Sequence, residues 1–287
     1  MSAVSGPGVS YRVGRGRVVS FNLGDLELRL DEVFDPKADL SPYFGGRDLS
    51  APEAFPTRSF YVSSGSLRAV VDPSDYGRLV SPGHFRAPPG SAPPLPLEEQ
   101  LAAAGVSPDS VTHVVVTHLH YDHYAGVTRA TADGPSLAFP SARYIIPARD
   151  WAMPDMVDAR RKGDSDVTET LGAVEAAGKL ELLDGPLDLG EGLTVEPFPG
   201  ESPGHQVVAL RSDGASCYFV GDLYHLVEEV EHPELAAAWA DAPALLASRR
   251  IFSERAASER ALVLPGHLPA GRIGRRGGAP SWAEEPA

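Results

Sequence analysis

Thr117-His118-Leu119-His120-Tyr121-Asp122-His123 carries an imidazole, a carboxylate or a hydroxyl at six of its seven positions. The stretch before it, Val111-Thr112-His113-Val114-Val115-Val116, is β-branched and nearly continuous, the pattern of a strand buried on both faces. Tyr124 to Ala130, after it, reads as a turn entering a helix. Loops at strand ends are held by a rigid sheet yet face solvent, which is where α/β folds place chemistry. His118 and His120 alternate along an extended segment, so they share a face and can bind one metal together. Asp122 and His123 come after the chain turns and can face a second position nearby. A solvated polar turn does not need three histidines and an aspartate within six residues. A metal site does.

The pattern His118-x-His120-x-Asp122-His123 resembles the signature of the metallo-β-lactamase superfamily, and three further motifs of that family follow in its order. Gly221-Asp222, after the apolar run Cys217-Tyr218-Phe219-Val220, is similar to the strand that ends in a metal-bridging aspartate. Leu262-Val263-Leu264-Pro265-Gly266-His267 resembles the last strand with its terminal histidine. Pro199-Gly200-Glu201-Ser202-Pro203-Gly204-His205 is similar to the family's P-G-H-x-P-G-H loop. The resemblance runs from about Phe60 to Ile273 and implies an α/β fold, the four-layer αβ/βα sandwich. One hydrolase domain is then expected over residues 1–273, with a disordered tail at 274–287.

That resemblance also implies two divalent metal ions, zinc being expected and manganese or iron the alternatives. His118, His120 and His205 would hold the first ion, Asp122, His123 and His267 the second, and Asp222 would bridge them. Glu201 is the departure. It replaces the earlier of the loop's two histidines, while the later one, His205, is the expected ligand, so Glu201 would stand behind the ligands or at the pocket rim. A rival register makes Glu201 the ligand and His205 its support, and a carboxylate there would favour manganese or iron over zinc.

Two metals about 3.5–4 Å apart can share a water, lower its pKa and present hydroxide as a nucleophile. Asp122 and Asp222 are on that ground catalytic candidates, together with His225 and the adjacent Tyr224 as proton donors to a leaving group. Gly221 to His225, followed by His232-Pro233-Glu234-Leu235, most resembles the lactonase and organophosphate-hydrolase branch. The expected enzyme is a metal-dependent hydrolase of lactones or carboxylic esters. A thioesterase, a phosphotriesterase and a catalytically silent metal-dependent ligand-binding protein of the same fold are the alternatives. A di-iron redox protein is disfavoured, because that branch has glutamate where His120 stands. No G-x-S-x-G elbow or complete phosphate loop offers another chemistry.

Composition sets limits. With 287 residues, 43% of them hydrophobic, the chain can bury a substantial core. Its only cysteine, Cys217, lies in an apolar run, which excludes an internal disulfide and a thiol-rich metal site. The 25 basic and 39 acidic residues leave a net charge of −14, a field that repels phosphate backbones. A small-molecule substrate is therefore expected, with no nucleic-acid or membrane partner; a homodimer is left open. The N-terminal residues lack the basic and apolar regions of a secretory signal, so a cytoplasmic location is expected.

Along the chain, Val13 to Asp31 suggests two opening strands, and Asp35 to Pro56 a loop or short-helix insertion. Ser59–Val62 and Leu67–Asp72 read as a hairpin, Ser81–Pro96 as a proline-rich loop, and Leu97–Ala104 as a helix stopped by Gly105. Ala142–Ile146 is a predicted strand, Ala148–Arg161 a helix broken at Pro154, and Val167–Ala177 an amphipathic helix. Leu180–Leu183 and Leu193–Glu196 are predicted strands, and Pro233–Arg260 one or two long helices punctuated by Pro243. The two long loops, 35–56 and 81–96, are expected as pocket walls.

Overall fold

In the computed structural model, which describes residues 8–35 and 37–286, the β-branched runs sort into two mixed seven-stranded sheets. The first runs, in order of neighbours, Val9–Val13, Gly16–Arg29, Pro52–Ser64, Leu67–Val71, His113–Val115, Arg143–Pro147 and Leu180–Leu183. Its first four strands make an antiparallel meander and the last three add in parallel. The second runs Leu187–Gly190, Leu193–Pro197, Gln206–Ser212, Ala215–Gly221, Leu262–Pro265, Gly271–Arg276 and Ala279–Glu284. Within it Ala215–Gly221 and Leu262–Pro265 are parallel, joined through the helix Ala242–Glu259.

Alternation along each strand builds the layers, since neighbouring side chains leave opposite faces. Val71, Val115 and Ile145 point inward and meet Val208, Cys217 and Phe219 of the second sheet. Val70, Val114 and Tyr144 point outward onto Leu97, Leu101, Leu171 and Val174. On the far side Tyr218, Val220 and Val263 pack against Leu245, Phe252 and Ala256 of the long helix. Helices, sheet, sheet and helix form the expected four-layer sandwich. Cys217 is fully buried between the sheets, and burial pushes its thiol well above the ordinary range.

Four local expectations are corrected. Residues 274–286 do not form a disordered tail: Gly271–Arg276 and Ala279–Glu284 pair as a hairpin, with Ile273 opposite Trp282 and both side chains buried in the outer core. Its polar sequence reflects an edge hairpin with one covered face. The helix expected after Tyr124 is instead one turn at Tyr121–Tyr124, followed by the small hairpin Thr128–Thr131 and Gly134–Leu137. Val167–Ala177 is split into Ser165–Thr168 and Leu171–Ala176, where the Thr170 hydroxyl turns back to the Asp166 carbonyl. Pro243 opens a helix rather than interrupting one, since it falls in the first turn of Ala242–Glu259, capped by Asp241. Among the described residues no helix is long and apolar enough to cross a membrane.

Candidate metal centre

Two pairs of parallel strands, one pair in each sheet, release the chain at one edge of the sandwich. Asp72 follows Leu67–Val71, the His118–His123 loop follows His113–Val115, Asp222 follows Ala215–Gly221, and His267 follows Leu262–Pro265. The approach is tight enough to require glycine twice. A Cβ on Gly221, whose φ is 49°, would lie 2.4 Å from Thr117 Oγ1, and one on Gly266 would lie 2.9 Å from Asp222 Oδ1.

Buried carboxylates fix the loops before any ligand is considered. Asp72 accepts from the Thr117 N–H at 2.7 Å and hydroxyl at 2.8 Å, and faces His123 Nδ1 at 3.0 Å. Asp150 accepts from the Ser202 hydroxyl at 2.7 Å and from the N–H groups of Gly204 at 2.6 Å and Leu119 at 3.2 Å. It therefore ties the 118–123 loop to the 199–205 loop. His267 Nδ1 meets the Pro56 carbonyl at 2.9 Å. Such partners set ring orientation at metal sites.

The side chains converge in two clusters, His118 with His120, Glu201 and Asp222, and Asp122 with His123 and His267. His118 Nε2 lies 3.0 Å from His120 Nδ1. Glu201 Oε1 lies 3.0 Å from His120 Nδ1, and Oε2 lies 3.4 Å from His118 Nε2. In the second cluster Asp122 Oδ2 is 3.2 Å from His267 Nε2 and 3.5 Å from His123 Nε2. Asp222 turns Oδ2 to His118 at 3.5 Å, and Oδ1 to His123 and His267 at 3.1 and 3.3 Å. One carboxylate thus presents an oxygen to each cluster.

The residues fit divalent cations on their own chemistry. Glu201 Oε2 in the first cluster and Asp222 Oδ1 and His123 Nε2 at the second are buried without a hydrogen bond, a costly state that a cation in each cluster would relieve. The electrostatics agree. Burial holds His118 well below its usual range. Burial also opposes charge on His120 and His267, yet Glu201 on the one and Asp222 on the other lift each to about 9. Against the same burial, neighbouring histidines hold the carboxyls of Asp122, Glu201 and Asp222 far below the ordinary carboxylate range. Protons in this lattice stand where cations would exchange for them.

The structure brings Glu201, the alternate ligand, rather than His205 beside His118 and His120. His205, expected among the ligands, belongs to neither cluster. It is fully buried behind His118, with ring centroids 5.3 Å apart, and its Nδ1 faces the Phe198 carbonyl at 3.1 Å. Glu201 stands beside His118 and His120 in its place. The turn at Gly200, φ 136°, throws Glu201 forward, while the Asp150 bonds to Ser202 and Gly204 hold the following residues back.

His225 and Tyr224 point opposite ways. His225 Nε2 lies 3.2 Å from Asp222 Oδ2, at the floor of a cavity of about 300 Å³. Its Nδ1 lies 3.3 Å from Glu229 Oε2, which also accepts the His225 N–H at 2.5 Å. Glu229 Oε1 accepts from Arg249 at 2.7 Å, and both residues are fully buried. Tyr224 is instead buried in the outer core, its hydroxyl 2.8 Å from Ser253 Oγ, and it does not line the cavity.

Leu26, Leu28, Val33, Phe85 and Trp239 form the apolar walls of the cavity. Phe85 comes from the proline-rich loop, as expected. The 35–56 insertion is not a wall; Leu40, Phe44 and Phe55 pack with Leu235 in a separate small core. Sequence reasoning missed Asp72, Asp150, Glu229, Arg249 and Trp239. A signal existed only for Glu229, four residues after His225, a helical spacing.

The sequence model of the metallo-beta-lactamase superfamily matches residues 89–273. No curated protein matches the chain. Among solved structures, hydrolase AbOPH in the beta lactamase superfamily is 18% identical, with a TM-score of 0.77 and coverage of 100% of this chain and 99% of that one. AidC, a dizinc quorum-quenching lactonase, is 19% identical with a TM-score of 0.74, again over 100% and 99% of the two chains. A probable metal-dependent hydrolase from Staphylococcus aureus is 17% identical with a TM-score of 0.76, covering 96% and 99%. At these identities the likeness is one of fold, but it extends over the whole sandwich. With the family match spanning well over half of its length, the chain belongs to the metallo-beta-lactamase superfamily.

Proposed function

We propose that this protein is a metal-dependent hydrolase of lactones or carboxylic esters. In this reading His118, His120 and Glu201 would hold one divalent ion, Asp122, His123 and His267 would hold a second, and Asp222 would serve both. The observation that carries it is Asp222, whose two oxygens face the two clusters at the floor of a cavity with apolar walls. Bound there, the ions would supply Lewis acidity and an activated water.

The chain's own residues supply the rest. Leu26, Leu28, Val33 and Phe85 would bind the substrate's apolar part and exclude bulk water from the reacting carbonyl. His225 reaches the same floor beside Glu229, which supports it as the residue that would protonate the departing oxygen. The related lactonase AidC has been solved with a product, N-hexnoyl-L-homoserine, which supports the lactone reading. The net charge of −14 weighs against nucleic acid as substrate.

A panel of lactones, carboxylic esters, thioesters, phosphotriesters and phosphodiesters, offered to metal-replete protein, tests the proposal. Lactones or carboxylic esters should be opened, and chelation should abolish the activity until divalent metal is restored. Turnover of thioesters, phosphotriesters or phosphodiesters in preference would overturn the substrate assignment, and full activity without metal would overturn the mechanism.

A further inference from the structure

On the ligand assignment just proposed, we infer that Glu201 biases the first site toward Mn²⁺ or Fe²⁺ and away from Zn²⁺. The donor sets carry the argument. One cluster offers His118, His120 and Glu201, the other His123, His267 and Asp122, and Asp222 faces both. Each side therefore has two imidazoles and one carboxylate of its own. A histidine at position 201 would give the first side three imidazoles and one fewer negative charge. Three imidazoles suit zinc, whereas added carboxylate oxygen suits manganese, and a two-histidine, one-carboxylate face with open positions suits ferrous iron.

Glu201 is built as a ligand rather than left as a stray acid. Its side chain is fully buried, and Oε1 accepts the Trp239 indole N–H at 2.9 Å. Oε2 is buried without a hydrogen bond and lies 3.4 Å from His118 Nε2. One oxygen is pinned and the other is free, the arrangement of a single-oxygen ligand. Zinc retains the higher absolute affinity at sites of nitrogen and oxygen donors. The signature is therefore the ratio of zinc to manganese affinity, not their rank.

The test titrates metal-free, full-length protein with Mn²⁺ alone and with Zn²⁺ alone by calorimetry, and measures metal content after gel filtration. Glu201→His should raise the zinc-to-manganese affinity ratio at the first site by about tenfold. Glu201→Ala should lose one ion per chain, as His118→Ala does. An unchanged ratio in Glu201→His, with Glu201→Ala still losing an ion, overturns the inference and leaves the ligand assignment standing. Two ions retained by Glu201→Ala overturn the assignment itself. If circular dichroism shows that Glu201→His is unfolded, Glu201→Gln takes its place. It should weaken manganese more than zinc, and equal weakening overturns the inference.

Discussion

Trp239 donates its indole N–H to Glu201 Oε1 at 2.9 Å, and the same indole stands edge-on to His120 and His225. A single side chain on the connection between Val227–Glu231 and Ala242–Glu259 thus joins the candidate ligands to the cavity wall. Trp239→Phe keeps most of the wall and removes the donor. Metal affinity at the first site should fall by about tenfold, read by titration of metal-free protein. An affinity equal to wild type would show that the indole N–H does not hold the carboxylate.

Removal of Asp222 strips an oxygen from both clusters. Asp222→Ala should lower the content of both ions together and reduce hydrolysis by orders of magnitude, with far-ultraviolet circular dichroism close to wild type. Loss of one ion alone would argue against the bridge.

His225 and Tyr224 make a matched pair of tests, since they are neighbours with opposite directions. His225→Ala should lower kcat by about 10²–10⁴-fold with metal content unchanged. Tyr224→Phe removes the hydroxyl's bonds to Ser253 and to the Arg249 carbonyl, both in the outer core, so kcat should stay near wild type at a cost of about 1 kcal/mol in stability. Equal kinetic loss in both would point to a packing defect rather than a proton donor.

The ion pair beneath His225 should show itself through pH. Burial alone would raise the Glu229 carboxyl, but Arg249 and His225 bring it from the ordinary 4.5 down to about 2. Its folded pKa lies below the unfolded one, so its contribution is complete above about 4.5 and is lost as pH falls toward about 2. Glu229→Gln leaves Arg249 buried without its partner and should cost about 3 kcal/mol at neutral pH. Urea denaturation should show the gap between wild type and variant narrowing across that acidic window. A gap that stays constant from pH 6 to pH 2.5 would mean that Glu229 is not the group responsible.

The fold was legible where a continuous apolar run ends in chemistry. Val114-Val115-Val116 running into His118-x-His120-x-Asp122-His123 marked both the strand and the site, and Gly221-Asp222 and Gly266-His267 marked the two later strand ends. Register within Pro199–His205 was not legible. Two ligand-competent residues four positions apart are separated only by how the loop leans, and Gly200 and Asp150 decide that through contacts distant in sequence. Asp72, Asp150 and Arg249 carry no local motif at all; their partners come from other strands and helices. The arginines and glycines around Trp282 masked a strand covered on one face.

Between Leu183 and Leu187 the chain leaves one sheet and begins the other. Everything before that crossing contributes His118, His120, Asp122 and His123, and everything after it contributes Glu201, Asp222 and His267. Each cluster draws on both sides of the crossing, so a cation at either position would rivet the two halves of the sandwich across their seam. Loading would then be linked to folding, and stability would rise with free metal concentration as mass action requires. In that sense the centre is also a fastener, and starvation for metal would loosen the seam at the very edge where the cavity opens.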